Sequence, residues 1–489
     1  MLETSNKLGK LLQRLYLNRS LALPLARKLA RDPKDFLRLT KSWAQGSLPP
    51  LSPALVGAPP RGLPPYTCAF AGTEPIAFRT VPALSRRPYL NVVLPGWAVH
   101  RMSGGPNTII NLTYRMAAKG VPVRYICASS PAEIDPEPMW RHVHELTGIR
   151  ERFPHVEAVC GHDRGRTVDI GENDVFMATA WWTAHIVQKA LGLTRHRKFL
   201  YVIQDYEPGL YPWSTEHALA LETYDWNYCA IVNSRLLADY FLERKIGPFG
   251  KPGLESECAV LETAVDRACF HFDDARPKDP GRRKRLLFYA RPTTARRNLY
   301  ELGVAALIEA SRRNIFSEGE WDLFFMGERI QSLSVPGVIE IQCLPWLGYE
   351  AYAAQLRGSD VVLSLMLSPH SSYPPLEAAA CGALVVTNIF DGKTAARLTD
   401  LSRNIIPVTP SIEGVVGGLR SAVRSVDDFA SRREHSRLGL PVSWEEAFAS
   451  VLPRAMKMWE ECLASSDAKP VSRVVHRPTG AAPEESLQP

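Results

Sequence analysis

An α/β protein of two facing Rossmann-like domains is predicted by two series of alternating strand-like and helical segments and by the break between them near residue 275. The length of 489 residues, too great for one ordinary core, points the same way. The first series opens with Tyr89–Leu94, an apolar run bounded by Pro-Gly. Thr108–Lys119 has helical spacing and stops at Gly120, and Val121–Ala128 is the next strand. Asp174–Ala178, Lys198–Ile203 and Cys229–Val232 continue it. The second series runs through Arg285–Ala290, Leu302–Arg312, Trp321–Met326, Gly337–Gln342, Tyr349–Leu356, Asp360–Met366, Pro375–Cys381 and Ala383–Thr387. Such alternation implies parallel sheets with helices on both faces, their C-terminal strand ends bordering one cleft.

The expected organisation is a helical basic arm and Pro-rich linker (1–85), a first Rossmann-like domain (86–273), a second (274–440), a crossing helix (441–463) and a disordered tail (464–489). Within the arm, Leu8, Leu11, Leu12 and Leu15 share a helix face. Asp32-Pro33 opens a second helix with Phe36, Leu39 and Trp43 as its stripe. Residues 1–50 hold ten Lys/Arg and three Asp/Glu, an excess of +7 that equals the whole chain's +7. The body is therefore electrically balanced, which argues against nucleic-acid binding. The arm (1–45) suits either an anionic membrane surface or a solvated helical extension, and both readings stay open. Ser443–Leu463 predicts a helix with Ser443 as cap and Glu446 completing a capping box, kinked or interrupted at Pro453.

Nine scattered cysteines without a Cys-x-x-Cys pair argue against a disulfide framework or zinc site and for a reducing cytosol. No run of about 18 apolar residues and no leader pattern is present, so the expectation is a cytoplasmic protein, peripheral at most on the inner face of the membrane.

The segment with most chemistry is Ser368–Asn388 (SPHSSYPPLEAAACGALVVTN), read as Pro-rich turn, short helix, Cys-Gly break and strand. The turn is expected to offer free backbone N–H groups, with Glu377 on the first helical turn. Glu377 is the only charged residue between Asp360 and Asp391, a lone acid in an apolar strand–turn–helix unit, so a partner or ligand is expected. Gly104 and Gly105 open a helix after the first strand, where a ligand can approach the backbone. Asp205 and Glu207 end the strand FLYVI facing the expected cleft, and Arg291, Arg296 and Arg297 follow the strand LLFYA. Arginine at a helix start opposes the dipole, but its forked donors suit phosphate. His370 is a candidate donor to a sugar hydroxyl or phosphate.

Pro374, Glu377, Ala378, Ala380 and Gly382 resemble, in register, the nucleotide-sugar signature of glycosyltransferase family 4, a retaining family of GT-B fold; Pro369 stands at its first Glu. The run Arg291–Arg297 resembles the family's Gly-Arg-Leu-x-x-x-Lys-Gly, with Arg296 on the Lys, and Val265-Asp266-x-x-x-Phe270 resembles its interdomain segment. The resemblance spans about residues 86–463. It implies that Arg291, Arg296 and Arg297 hold the donor diphosphate, that Glu377 binds ribose, and that the Ser443–Leu463 helix crosses back to the first domain. Gln204-Asp205-Tyr206-Glu207-Pro208 and Ser368-Pro369-His370-x-Ser372-Tyr373-Pro374-Pro375 resemble a bacterial rhamnosyltransferase subgroup of surface-glycan assembly. This implies dTDP-L-rhamnose as donor, a saccharide acceptor, Ser372 and Tyr373 on the donor side, and Asp205, Glu207 and His370 as catalytic-side groups. No cofactor or metal is expected: the chain lacks an Asp-x-Asp pair. The rival readings are a catalytically inactive nucleotide-sugar or glycan-binding protein, and an epimerase or phosphorylase of the same fold.

Overall fold

The structure, a computed structural model, describes residues 73–464 apart from 100–101, 103, 131–134, 252–256, 275–280, 293–295 and 318. The basic arm with its two helical stripes, the Pro-rich linker 46–65 and the tail from 465 lie outside the described residues.

The first half contains β1 (Ala77–Thr80), β2 (Leu90–Leu94), β3 (Val123–Cys127), β4 (Val156–Cys160), β5 (Thr167–Ile170), β6 (Val175–Ala178), β7 (Phe199–Ile203), β8 (Tyr228–Asn233) and β9 (Cys258–Leu261). The second contains β10 (Lys284–Ala290), β11 (Trp321–Gly327), β12 (Leu333–Val335), β13 (Ile339–Cys343), β14 (Val361–Leu363), β15 (Leu384–Asn388) and β16 (Ile405–Val408). Two seven-stranded sheets result, ordered β4-β3-β2-β6-β7-β8-β9 and β12-β13-β11-β10-β14-β15-β16, while β1 and β5 pair separately. The strands run parallel except at the β12–β13 edge. LNVVL, VRYIC, FLYVI and LVVTN are buried at every position, as strands covered on both faces must be.

The chain leaves the first sheet through Val265 and Arg267. Their N–H groups donate to Pro441 and Val442 carbonyls at 2.9 and 3.1 Å, so the outgoing and returning crossings run side by side. The returning helix, Trp444–Ala464, buries Ala447, Phe448, Val451, Ala455, Met458 and Cys462 in the first lobe's core beside Ile109 and Leu261. Ser443 Oγ accepts the Glu446 N–H at 3.2 Å, and the Glu446 carboxylate accepts the Val442 N–H at 2.8 Å, one residue before the cap. The helix continues through Pro453, so of the two expected effects, kink or interruption, the interruption does not occur. Buried residues on either side of Pro453 hold it together across the one lost N–H.

Each sheet carries a buried aspartate at its N-terminal edge, away from the cleft. Asp174 accepts from the Tyr89 and Gly171 N–H groups, from Asn91 and from Arg124. Asp360 accepts from Arg282, Arg432 and the Arg285 N–H. These buried charges are well supplied with partners, as stability requires.

Gly303, on the helix Tyr300–Arg312, lies against the Phe288 ring so closely that a Cβ would overlap it. Gly303→Ala is expected to destabilise the protein by about 1–3 kcal/mol through overpacking. The gain in helix propensity, about 1 kcal/mol, offsets only part of this. Urea unfolding checks the sign. Among the described residues no helix is long and apolar enough to cross a membrane.

Candidate functional site

The C-terminal ends of β7 and β14 deliver Gln204–Glu207 and Ser368–Tyr373 to one another across the lobes. The helix Tyr373–Ala380 is preceded by Ser372 in a left-handed conformation, φ 67°. Its first turn differs from expectation. Pro374 and Pro375 have no N–H, and the nearby N–H groups of His370 and Ser372 already donate to Ser368 Oγ and His370 Nδ1. The turn therefore offers few backbone donors. Glu377 sits on the second turn rather than the first, because the helix begins at Tyr373.

Glu377 is 8% exposed and accepts the Tyr352 hydroxyl at 2.6 Å. Burial pushes its carboxyl up to about 7, against the pull of that hydrogen bond. Tyr352 comes from the helix Tyr349–Arg357; just before it in sequence, Trp346 and Tyr349 present exposed rings.

Of the arginines, Arg297 turns into the cleft, with Nη2 3.2 Å from Asp205 Oδ2 across the lobes. Its carbonyl accepts the Leu367 N–H at 2.8 Å, and the neighbouring Asn298 amide donates to the Leu365 carbonyl at 3.1 Å. These bonds tie the Arg296–Asn298 turn to the end of β14. Arg296 is exposed, and Arg291 reaches Glu328 at 3.9 Å. Geometry thus favours Arg297 over Arg296 as the inward cation, a choice the sequence left open.

Asp205, 6% exposed, bridges the lobes: it accepts the Ser368 hydroxyl and the Tyr206 N–H besides facing Arg297. Glu207 does not join it. Its carboxylate accepts the Trp181 N–H at the start of the helix Trp181–Ala190, and burial pushes it up to about 8. Its observed role is to hold that helix in place.

His370, 5% exposed, accepts the Ser372 N–H on Nδ1 at 2.8 Å, so the proton of the neutral ring sits on Nε2. Burial pushes the ring down to about 4, so it is neutral at physiological pH. Nε2 is buried without a hydrogen-bond partner, and so is Arg297 Nε.

Gly104 and Gly105 face the other lobe. A Cβ on Gly104 would stand 3.2 Å from the Tyr373 ring, and one on Gly105 would stand 3.7 Å from Gln204. Tyr373 inserts its hydroxyl between Thr108 Oγ1 at 2.8 Å and Asn233 Nδ2 at 3.1 Å. Asn233 in turn donates to Gln204 at 2.7 Å. Ser372, beside it, is half-buried. The structure therefore brings together Asp205, Arg297, His370 and Tyr373. Glu377 lies one helical turn beyond Tyr373, and Arg296 and Glu207 point elsewhere.

Sequence reasoning missed Tyr352, Ser368, Asn233 and Lys393 as parts of this neighbourhood. Lys393 carried no signal: it stands in the polar turn Asp391-Gly392-Lys393-Thr394, five residues past the end of β15.

Two lobes of parallel sheet with helices, joined by a returning C-terminal helix and meeting at their C-terminal strand ends, define a GT-B glycosyltransferase-like protein. The chain carries the domain pair of WsaF: residues 89–235 match the WsaF N-terminal domain and residues 284–420 match the WsaF C-terminal domain. It is 34% identical over 258 residues to the O-antigen biosynthesis protein RfbC of Myxococcus xanthus. That match takes in 51% of this chain and 18% of that protein, so the chain spans well under two thirds of this relative. Among solved structures, HepE of Anabaena in complex with UDP-glucose has a TM-score of 0.50 at 12% identity, covering 77% of this chain and 100% of that one. Sucrose-phosphate synthase of Thermosynechococcus elongatus has a TM-score of 0.48 at 12% identity, covering 78% and 100%.

Proposed function

We propose that this protein is a glycosyltransferase that moves a sugar from a nucleoside-diphosphate donor to a saccharide acceptor in surface-glycan synthesis. The observation that carries the proposal is the imbalance of the interlobe cluster. Arg297 Nε–H and His370 Nε2–H are buried donors without acceptors. An unpaired buried donor costs about 1–3 kcal/mol, and an oxygen-rich anion between the lobes removes that cost. The leaving diphosphate is such an anion, and its charge grows as the glycosidic bond to the donor breaks.

In this reading Arg297, aided by Arg291, neutralises the diphosphate and makes a metal unnecessary, while the exposed Arg296 adds only general positive charge. His370 donates a hydrogen bond and does not act as a base, since its Nε2 already carries the proton. Glu377, braced by Tyr352, accepts from the ribose hydroxyls. Asp205 orients the sugar or acceptor, and Glu207 supports it from behind. Ser372 and Tyr373 line the donor side, and Gly104 and Gly105 admit substrate once the Tyr373 ring moves aside.

The preferred donor is dTDP-L-rhamnose, on the resemblance of the Gln204–Pro208 and Ser368–Pro375 runs to rhamnosyltransferases. Retention of anomeric configuration rests on the same resemblance to family 4, with a leaving phosphate oxygen taking the acceptor's proton on the same face. The similarity to RfbC, an O-antigen biosynthesis protein, supports the glycan setting.

A thermal-shift series with dTDP, UDP, GDP, ADP and dTDP-L-rhamnose tests the donor, because a ligand bound only by the folded state raises its melting temperature. The dTDP pair is expected to shift it, the rhamnose form more. A shift with another diphosphate alone discards rhamnose, and no shift removes the donor reading. Glu377→Ala is expected to weaken binding about tenfold, the worth of one charged hydrogen bond; unchanged affinity moves ribose elsewhere. Donor-dependent product excludes a purely binding role.

A further inference from the structure

Lys393 is among the most buried charged residues described, at 1% exposure. It follows β15 in the turn Asp391–Lys393, and its Nζ donates to the Met366 carbonyl at 3.0 Å. That carbonyl also accepts from the Asn388 amide at 3.1 Å. Two residues further along the same strand exit, Ser368 reaches Asp205, and Leu367 bonds the Arg297 carbonyl. The lysine thus lies directly beneath the interlobe cluster. No carboxylate among the described residues stands within ion-pair distance of it, whereas the buried Arg124 and Arg432 each have one. One ammonium hydrogen bond is accounted for; an ammonium makes three.

We propose that Lys393 is a further phosphate-binding residue of the donor site, taking up a proton as the diphosphate enters and giving it up as the diphosphate leaves. The inference rests on the donor reading above. Burying a cation without a counter-ion is unfavourable, so the amine is held down at about 7 by desolvation, against the opposing pull of Asp205. An entering diphosphate supplies the missing counter-charge and raises the amine again. The site without ligand then avoids holding an uncompensated cation beside the Asp205–Arg297 pair, and the full charge is present when the leaving group needs it. The charged and titratable groups that act on this amine are Asp205 and His370, with Arg297 and Glu207 on the far side of Asp205. His370 stays neutral above about 4. Glu207, at about 8, and Glu377, at about 7, are the other groups of the site able to take up a proton near neutrality.

Calorimetric titration of the full-length protein at pH 8, in buffers of different ionisation enthalpy, tests this with UDP, dTDP, GDP and inorganic pyrophosphate. The terminal phosphate of the three nucleotides is by then almost fully ionised and contributes no proton of its own, so they report proton uptake, while pyrophosphate, still partly protonated, reports affinity only. The wild type is expected to take up about one proton per diphosphate bound. Glu207→Gln and Glu377→Gln are each expected to keep that uptake. Lys393→Met is expected to lose it, to bind at least tenfold more weakly, and to melt higher without ligand, because an apolar side chain replaces an unpaired buried amine. A lysine that merely braces Met366 gives the reverse, a lower melting temperature with no change in proton uptake. Binding by the wild type without proton uptake overturns the proposal for Lys393 even where the variant fails to fold, and leaves the donor site standing. Uptake lost with Glu207→Gln or Glu377→Gln overturns it likewise. Binding of none of the four probes overturns both.

Discussion

Arg297→Met is expected to lower turnover by about 10²–10³, the usual cost of removing one preorganised group that stabilises developing negative charge. It is expected to weaken nucleoside-diphosphate binding as well. The fold should persist, because the backbone of residue 297, not its side chain, holds the turn to β14 through Leu367. The expectation is specific to one arginine. Arg296, adjacent in sequence, is exposed, and Arg296→Met should change turnover severalfold at most. Steady-state kinetics on the two variants side by side separate the assignment from a general loss of positive charge. Equal losses would mean that the cleft reads net charge and that the Asp205–Arg297 contact is incidental.

Asp205→Asn produces effects of opposite sign on binding and on turnover. In the ligand-free protein Asp205 is the anion paired with Arg297 and the nearest carboxylate influence on Lys393. Asparagine keeps the size and the Ser368 partner but removes the charge. The ligand-free variant is expected to lose about 1–3 kcal/mol of stability, since buried donors lose an ionised acceptor. A diphosphate then no longer competes with a carboxylate for Arg297, so dTDP or UDP should bind about tenfold more tightly and restore the melting temperature. Turnover should nevertheless fall by about 10²–10⁴, because the group that orients the sugar or acceptor has lost its charge. Tighter product-like binding with slower turnover distinguishes this role from a purely structural one, in which both decline together.

Much of the architecture could be read from the chain because parallel strands covered on both faces must be continuously apolar. LNVVL, FLYVI and LVVTN announce themselves that way, and Gly120 and Ser443 mark helix ends by local chemistry. What stayed hidden depends on side-chain direction. Whether Arg296 or Arg297 faces the cleft turns on a single short 3₁₀ turn, which no spacing rule fixes. Glu207 and Asp205 look equivalent in the sequence, yet two residues apart after a strand they leave in different directions, one toward Trp181 and one toward Ser368. The supply of helix N–H groups before Glu377 was overstated because Pro374 and Pro375 occupy positions that would otherwise donate. Lys393 lay outside every motif, and its burial emerges only when β15 is placed beside β14. The bond of the Tyr373 hydroxyl to Thr108 in the first lobe joins residues 265 apart in sequence, which no local motif announces.

The central claim is that a nucleoside diphosphate occupies the acceptor-poor cluster between the lobes. The most direct test is the dissociation constant of dTDP, UDP, GDP and dTDP-L-rhamnose for the wild-type, Arg297→Met and Asp205→Asn proteins, measured by calorimetry under one salt condition. The account predicts that at least one of these ligands binds the wild type, binds Arg297→Met at least tenfold more weakly, and binds Asp205→Asn more tightly. Affinities that stay the same across all three proteins would place the diphosphate elsewhere and contradict the account.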